Sequence, residues 1–210
     1  LFRSPNSDTT VNHVIANDNF GTLFRVDLAS IVIRNSKFSR HTARMGVVFA
    51  NSSDVSISAS SFDSNHCEGH GTVRIEGNSG SSSQDTMIKI LDCVFWNNSV
   101  GGSISVTSLH KSKMLISYSS FVENRAEPGS GGALYLSKCT ECTIQIKTCR
   151  FGSNEAGFHG GAIMIRGSSG NMTFLDSEFE SNNAIDGGAV MIRRSSGNMT
   201  FLDSKLWSNK

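Results

Sequence analysis

The 210-residue chain carries 19 basic and 18 acidic side chains, a formal net charge of +1, so it offers no basic field for nucleic acid and no acidic tail. With 38% hydrophobic residues it has enough apolar material for a core and is not a disordered chain. No stretch approaches the roughly 18 apolar residues of a membrane span. The opening LFRSPNSDTTVNHV lacks the basic and apolar regions of a signal peptide, so any targeting segment is expected to have been removed or to lie outside this sequence. Two prolines, 20 glycines and abundant serine and threonine point to many short strands joined by polar turns.

Residues 1–37 hold the weakest pattern: apolar Leu1-Phe2, alternation at Leu23, Phe24 and Val26, then Ile31 and Ile33. From there one motif recurs. Phenylalanine is followed three residues later by asparagine at Phe62–Asn65, Phe95–Asn98, Phe121–Asn124, Phe151–Asn154 and Phe179–Asn182. Phe38 with His41 begins the series, and Leu206 with Asn209 continues it. Successive anchors, from 38 to 206, stand 24, 33, 26, 30, 28 and 27 residues apart, a repeat with insertions in its loops. Seven and five residues before each anchor both positions are apolar, as at Val55 and Ile57, Ile88 and Ile90, Met114 and Ile116, or Met172 and Phe174. Such alternation marks a half-buried strand. Each later anchor is followed by a glycine pair and a second alternating strand, as in Gly101–Val106 and Gly131–Leu136. Ile104, Val106, Leu134 and Leu136 share its inner face, and Arg74, Ser105, Tyr135 and Met164 are expected to point out. The segments beginning at Gly160 and Gly187 are near copies, differing at five of 23 positions.

None of these strands can bury its apolar side alone. Stacking equivalent strands in parallel, about 4.8 Å apart, buries each inward face against the next. The expected fold is therefore all-β: one single-stranded parallel β-helix, or solenoid, over residues 1–210, with about seven or eight rungs of 24–33 residues. Residues 1–37 are diverged N-terminal rungs and 38–210 the repeats proper. Phe38, Phe62, Phe95, Phe121, Phe151 and Phe179 become an inward aromatic column. Asn65, Asn98, Asn124, Asn154, Asn182 and Asn209 become an inward amide ladder at a corner. The glycine pairs suit a corner with left-handed backbone.

The pairing of GGA[ILV], at Gly131–Leu134, Gly160–Ile163 and Gly187–Val190, with FxxN resembles the repeats of the chlamydial-type polymorphic outer membrane protein family. Weaker versions stand at Gly101–Ile104 and Gly71–Val73, and the resemblance covers roughly 38–210. It implies a right-handed β-helix displayed outside the cell for adhesion or as a stalk. The chain departs from the family in having no membrane barrel and in losing GGA before Phe95.

Four N-glycosylation sequons occur, at Asn51, Asn97, Asn171 and Asn198, about as many as composition alone supplies. Asn171 and Asn198 fall at the same place in neighbouring repeats. Of the five cysteines, Cys139, Cys142 and Cys149 lie close enough in sequence for a local disulfide, Cys139–Cys142 or Cys142–Cys149. Cys93 and Cys149 share a repeat position two rungs apart, about 9.6 Å, too far to bridge. A zinc reading of Cys139, Cys142 and Cys149 lacks a fourth ligand at normal spacing.

Gly69-His70-Gly71 with Arg74-Ile75 is superficially similar to a polygalacturonase motif, but Gly71 already falls on the second glycine of the repeat. Asp92, Asp176 and Asp203 share one repeat position without the paired carboxylates of a glycosidase groove, and read as solvent-facing charges with calcium as the alternative. His13, His41, His66, His70, His110 and His159 have no common spacing and read as surface or loop residues. Tyr135, Trp96 and Trp207 are candidates for an exterior strip that stacks on sugars.

The expected function is that of a non-enzymatic extracellular structural protein: a rigid rod serving as stalk, fibre component or surface adhesin. The alternative is a carbohydrate-binding or carbohydrate-cleaving, pectinase-like β-helix, and a third reading is the passenger domain of a bacterial surface protein. No catalytic, cofactor or metal residue is assigned. The expected partners are further rungs of the same chain, within a longer repeat array, or head-to-tail copies, together with N-linked glycans or surface carbohydrate.

Overall fold

A computed structural model of the chain describes residues 2–69, 71–77 and 85–210. Among these every regular element is a strand, and they stack as a parallel β-solenoid of about seven turns. Three sheets of eight strands form its walls. Sheet A runs from Phe2–Pro5 through Val73–Glu76, Ile104–Thr107 and Leu134–Ser137 to Val190–Arg193; sheet B from Thr9–Asn12 to Met199–Leu202; sheet C from Ile15–Asn17 to Lys205–Trp207. Two-residue strands such as His66–Cys67, Ser99–Val100 and Arg125–Ala126 mark the turn that leads from C back to A.

Register is set by the apolar alternation. In Asp54–Ser58 the inward Val55 and Ile57 are buried while their neighbours are not, and Val55 and Ile57 pair with Ile88 and Ile90 on the next rung. A one-residue slip would turn every isoleucine outward. In sheet C, Phe62 pairs with Phe38 and Phe95, and Phe121 with Phe95 and Phe151. From Phe62 to Phe179 the rings stack 4.8–5.0 Å apart and within 4–6° of parallel. All six phenylalanines of this column are fully buried.

The three corners share one construction. A residue with positive φ turns the chain, and the next residue points inward and bonds to the neighbouring rungs. Between B and C these pairs include Ala59-Ser60, Asp92-Cys93, Tyr118-Ser119, Thr148-Cys149 and Asp176-Ser177. Ser119 Oγ, for example, donates to Ser117 O at 2.9 Å and accepts the Cys93 N–H at 3.1 Å. Between A and B a second small-residue column includes Ser53, Cys139 and Ser168. After C the pairs are Ser64-Asn65, Asn97-Asn98, Glu123-Asn124, Ser153-Asn154 and Ser181-Asn182, whose inward amides form the ladder. The αL conformation is unfavourable for L-residues by about 1 kcal/mol or more, and these ladder bonds are what holds it.

The glycine pair answers to space as well as to φ. Gly131 has φ +72°, and a Cβ at Gly132 would stand 2.6 Å from Glu155 O and 2.8 Å from Asn124 O. No side chain fits between rungs there.

Candidate functional site

A groove of about 480 Å³ crosses the outer face of sheet A. Its origin is a difference in turn length. Between the ladder asparagine and the second glycine, the turn from Asn98 to Gly102 contains three residues, whereas the turn below, Asn65 to Gly71, contains five and the turn above, Asn124 to Gly132, seven. The short turn leaves a notch with Val100 and Gly101 at its base, Gly69 on one side and Pro128 and Gly129 on the other.

From the notch the groove continues over Ser105 and Tyr135 to Glu76, Thr107, Ser108 and Lys138. Ser105 pairs directly with Arg74 and Tyr135 on adjacent strands. Arg74 Nε donates to Glu76 Oε1 at 2.9 Å, and its guanidinium also lies over the Phe49 ring, 5.4 Å from the centroid. Arg25 covers the other side of Phe49 at 5.1 Å, which is how an outward phenylalanine is only 3% exposed. Ser105 and Met164, expected to face solvent, do lie on the outer side by register but are buried by their neighbours; Tyr135 keeps partial exposure.

The sequons sit in different settings. Asn97, Asn171 and Asn198 are exposed, whereas Asn51 is half-buried with its Nδ2 donating to Asp27 Oδ1 at 3.3 Å. Asn171 and Asn198 lie one rung apart on sheet B, as the pairing of Met172 with Met199 requires.

All five cysteines are buried free thiols, so neither expected disulfide forms in the structure. For Cys142–Cys149 the reason is length: Cys142 opens the strand Cys142–Lys147 and Cys149 lies beyond its far end, about 17 Å or more along an extended chain. Cys139 and Cys142 are neighbours whose thiols interact, the hydrogen bond between them pushing Cys142 down and Cys139 well up. Burial pushes Cys67, Cys93 and Cys149 up to about 11. Cys93 and Cys149 occupy the corner column otherwise filled by serine, a pattern visible in sequence as serine or cysteine two residues before each anchor from Phe38 onward.

Other expectations are redistributed. Asp92, Asp176 and Asp203 are exposed positive-φ corner residues. Trp96 and Trp207 share the outer face of sheet C but are separated there by Val122, Gly152 and Glu180, and Tyr135 is on sheet A, so the three make no common strip. His41, expected at the surface, is fully buried in the asparagine column. Its Nδ1 accepts the Asn19 N–H at 3.2 Å and its Nε2 faces Ala16 O at 2.9 Å. Of the remaining histidines, His13 and His66 are exposed, His110 and His159 half-buried, and His70, like Leu1, lies outside the described residues. Among the described residues no group of three or more His, Cys, Asp or Glu side chains is placed to hold a metal ion, and no helix is long and apolar enough to cross a membrane.

Compared with protein-family models, with curated proteins and with solved structures, the chain matches none.

Proposed function

We propose that the chain is a rigid, non-enzymatic rod displayed outside the cell, serving as a stalk, fibre segment or surface adhesin. The observation that carries this reading is the unshifted stacking. Equivalent residues pair in all three sheets from rung to rung, and three columns of side-chain hydrogen bonds tie each corner to the next. Bending such a stack means opening ladder bonds in a low-dielectric interior, where an unpaired amide is expensive. Exposed Asn97, Asn171 and Asn198 support extracellular display, because glycans there would project from the outer wall without touching the core. The cysteines are compatible with it: the thiolate is the reactive form, and burial keeps Cys67, Cys93 and Cys149 protonated.

The test is secretion of the 210-residue chain from eukaryotic cells behind a cleavable leader, followed by intact mass before and after peptide N-glycosidase and by X-ray scattering. The expected result is a secreted monodisperse rod that loses mass on deglycosylation. Retention in the cell, or secretion only as disulfide-linked multimers, would sink the reading.

A further inference from the structure

We propose that the groove across sheet A is a binding site for a neutral oligosaccharide. The inference rests on the groove alone and stands whether or not the rod is displayed outside the cell. Shape comes first. At about 480 Å³ the groove is within the range of small-ligand sites, roughly 300–1,000 Å³, and its notch follows from one turn being shorter than both neighbours, so that part is set by the course of the chain.

Its chemistry selects the ligand. Tyr135 is the aromatic ring in the lining and is partly exposed. Around it stand the hydroxyls of Ser105, Thr107 and Ser108, none of which has a side-chain hydrogen bond among the described residues, together with the unpaired ammonium of Lys138. Glu76 takes both of its Arg74 bonds on Oε1, which leaves Oε2 to accept from a ligand. Hydroxyls that both donate and accept, a carboxylate acceptor, an ammonium donor and one aromatic face match a ligand with many hydroxyls at its edges and C–H groups on its faces.

Two other ligand classes fit less well. An anion such as phosphate or a uronate would meet Lys138 but would also bring its acceptor oxygens against the free Oε2 of Glu76, which has no proton to donate. A lipid or apolar peptide would seal the serine and threonine hydroxyls away from water without partners.

A glycan array carrying neutral, uronate and sulfated oligosaccharides tests this with the wild-type chain, Tyr135→Ala, Lys138→Ser and Trp96→Ala, each checked for a β-type circular dichroism spectrum. Trp96 is exposed on sheet C and controls for nonspecific aromatic contact. The expected result is retention on neutral glycans, weakened about tenfold or more by Tyr135→Ala, severalfold by Lys138→Ser, and unchanged by Trp96→Ala. The proposal is overturned by a folded wild type that retains no glycan, by signal confined to the anionic glycans, or by loss with Trp96→Ala instead. If Tyr135→Ala does not fold, undiminished binding by Lys138→Ser overturns it equally.

Discussion

Asn98 gives both its backbone N–H and its side-chain Nδ2 to a single atom, Oδ1 of Asn124, at 3.1 and 2.9 Å. Its second Nδ2 proton goes to Phe62 O at 3.0 Å, so the buried amide has no idle hydrogen-bonding group. Asn124 repeats the arrangement toward Asn154 and Phe95 O. Replacing Asn124 by Leu strands partners on both adjacent rungs, and is expected to destabilise by about 3–5 kcal/mol in urea unfolding followed by circular dichroism. Asn209→Leu, which touches only one described neighbouring rung, is expected to lose about 1 kcal/mol. Equal losses at the two positions would mean that the ladder does not lock the rungs.

The aromatic column makes a second, independent prediction. Phe121 lies between Phe95 at 4.9 Å and Phe151 at 5.0 Å and is fully buried. Phe121→Ala is expected to lose about 3–5 kcal/mol through the lost transfer free energy and the cavity left behind. Phe121→Leu, which keeps most of the volume, should lose less than half as much, and thermal unfolding of the two variants decides between cavity and stacking as the main cause.

His41 supplies a pH dependence. Burial pushes its pKa below 6.5, and its Nδ1 must stay unprotonated to accept the Asn19 N–H. The nearest charges, Asp18 and Arg40, pair with each other at 2.7 Å and so largely offset one another at the ring. Because the unfolded chain binds this proton more readily than the folded one, the contribution of His41 is full above about pH 6.5 and is lost as pH falls below it. Urea midpoints measured between pH 5 and 7.5 should decline on the acid side, and His41→Asn, which restores the ladder amide, should flatten the decline in that window. The Asp18 carboxyl is also held down, through its hydrogen bond with Arg40, but its loss begins only near pH 3.8, outside the range measured.

Serine and cysteine exchange within the B–C corner column, since Ser119 lies between Cys93 and Cys149 and makes the same contact to the carbonyl two residues back. Cys93→Ser and Cys149→Ser are therefore expected to change stability by no more than about 1 kcal/mol, with iodoacetamide leaving both wild-type thiols unmodified until urea is added. Rapid native labelling of either residue would contradict its burial.

Much of the architecture was legible because a solenoid writes its geometry locally: Ile88 and Ile90 name the inner face, Phe95 the column and Asn98 the corner. His41 was misplaced because histidine is polar and usually exposed, although its spacing from Phe38 already put it in the ladder. The corner serines do not stand out in the sequence because serine is common in turns, whereas the cysteines at the same position are distinctive. The groove was not legible as a motif at all. It arises from a difference in length between three successive turns, and becomes a cavity only when those turns are stacked.

The unshifted register also governs how this molecule can change size. Because the segments beginning at Gly160 and Gly187 pair residue for residue, duplicating the 27-residue unit that begins at Gly160 would join equivalent surfaces, Phe to Phe and Asn to Asn. Length is thus quantised in steps of about 4.8 Å, a ruler that gains graduations without being redrawn.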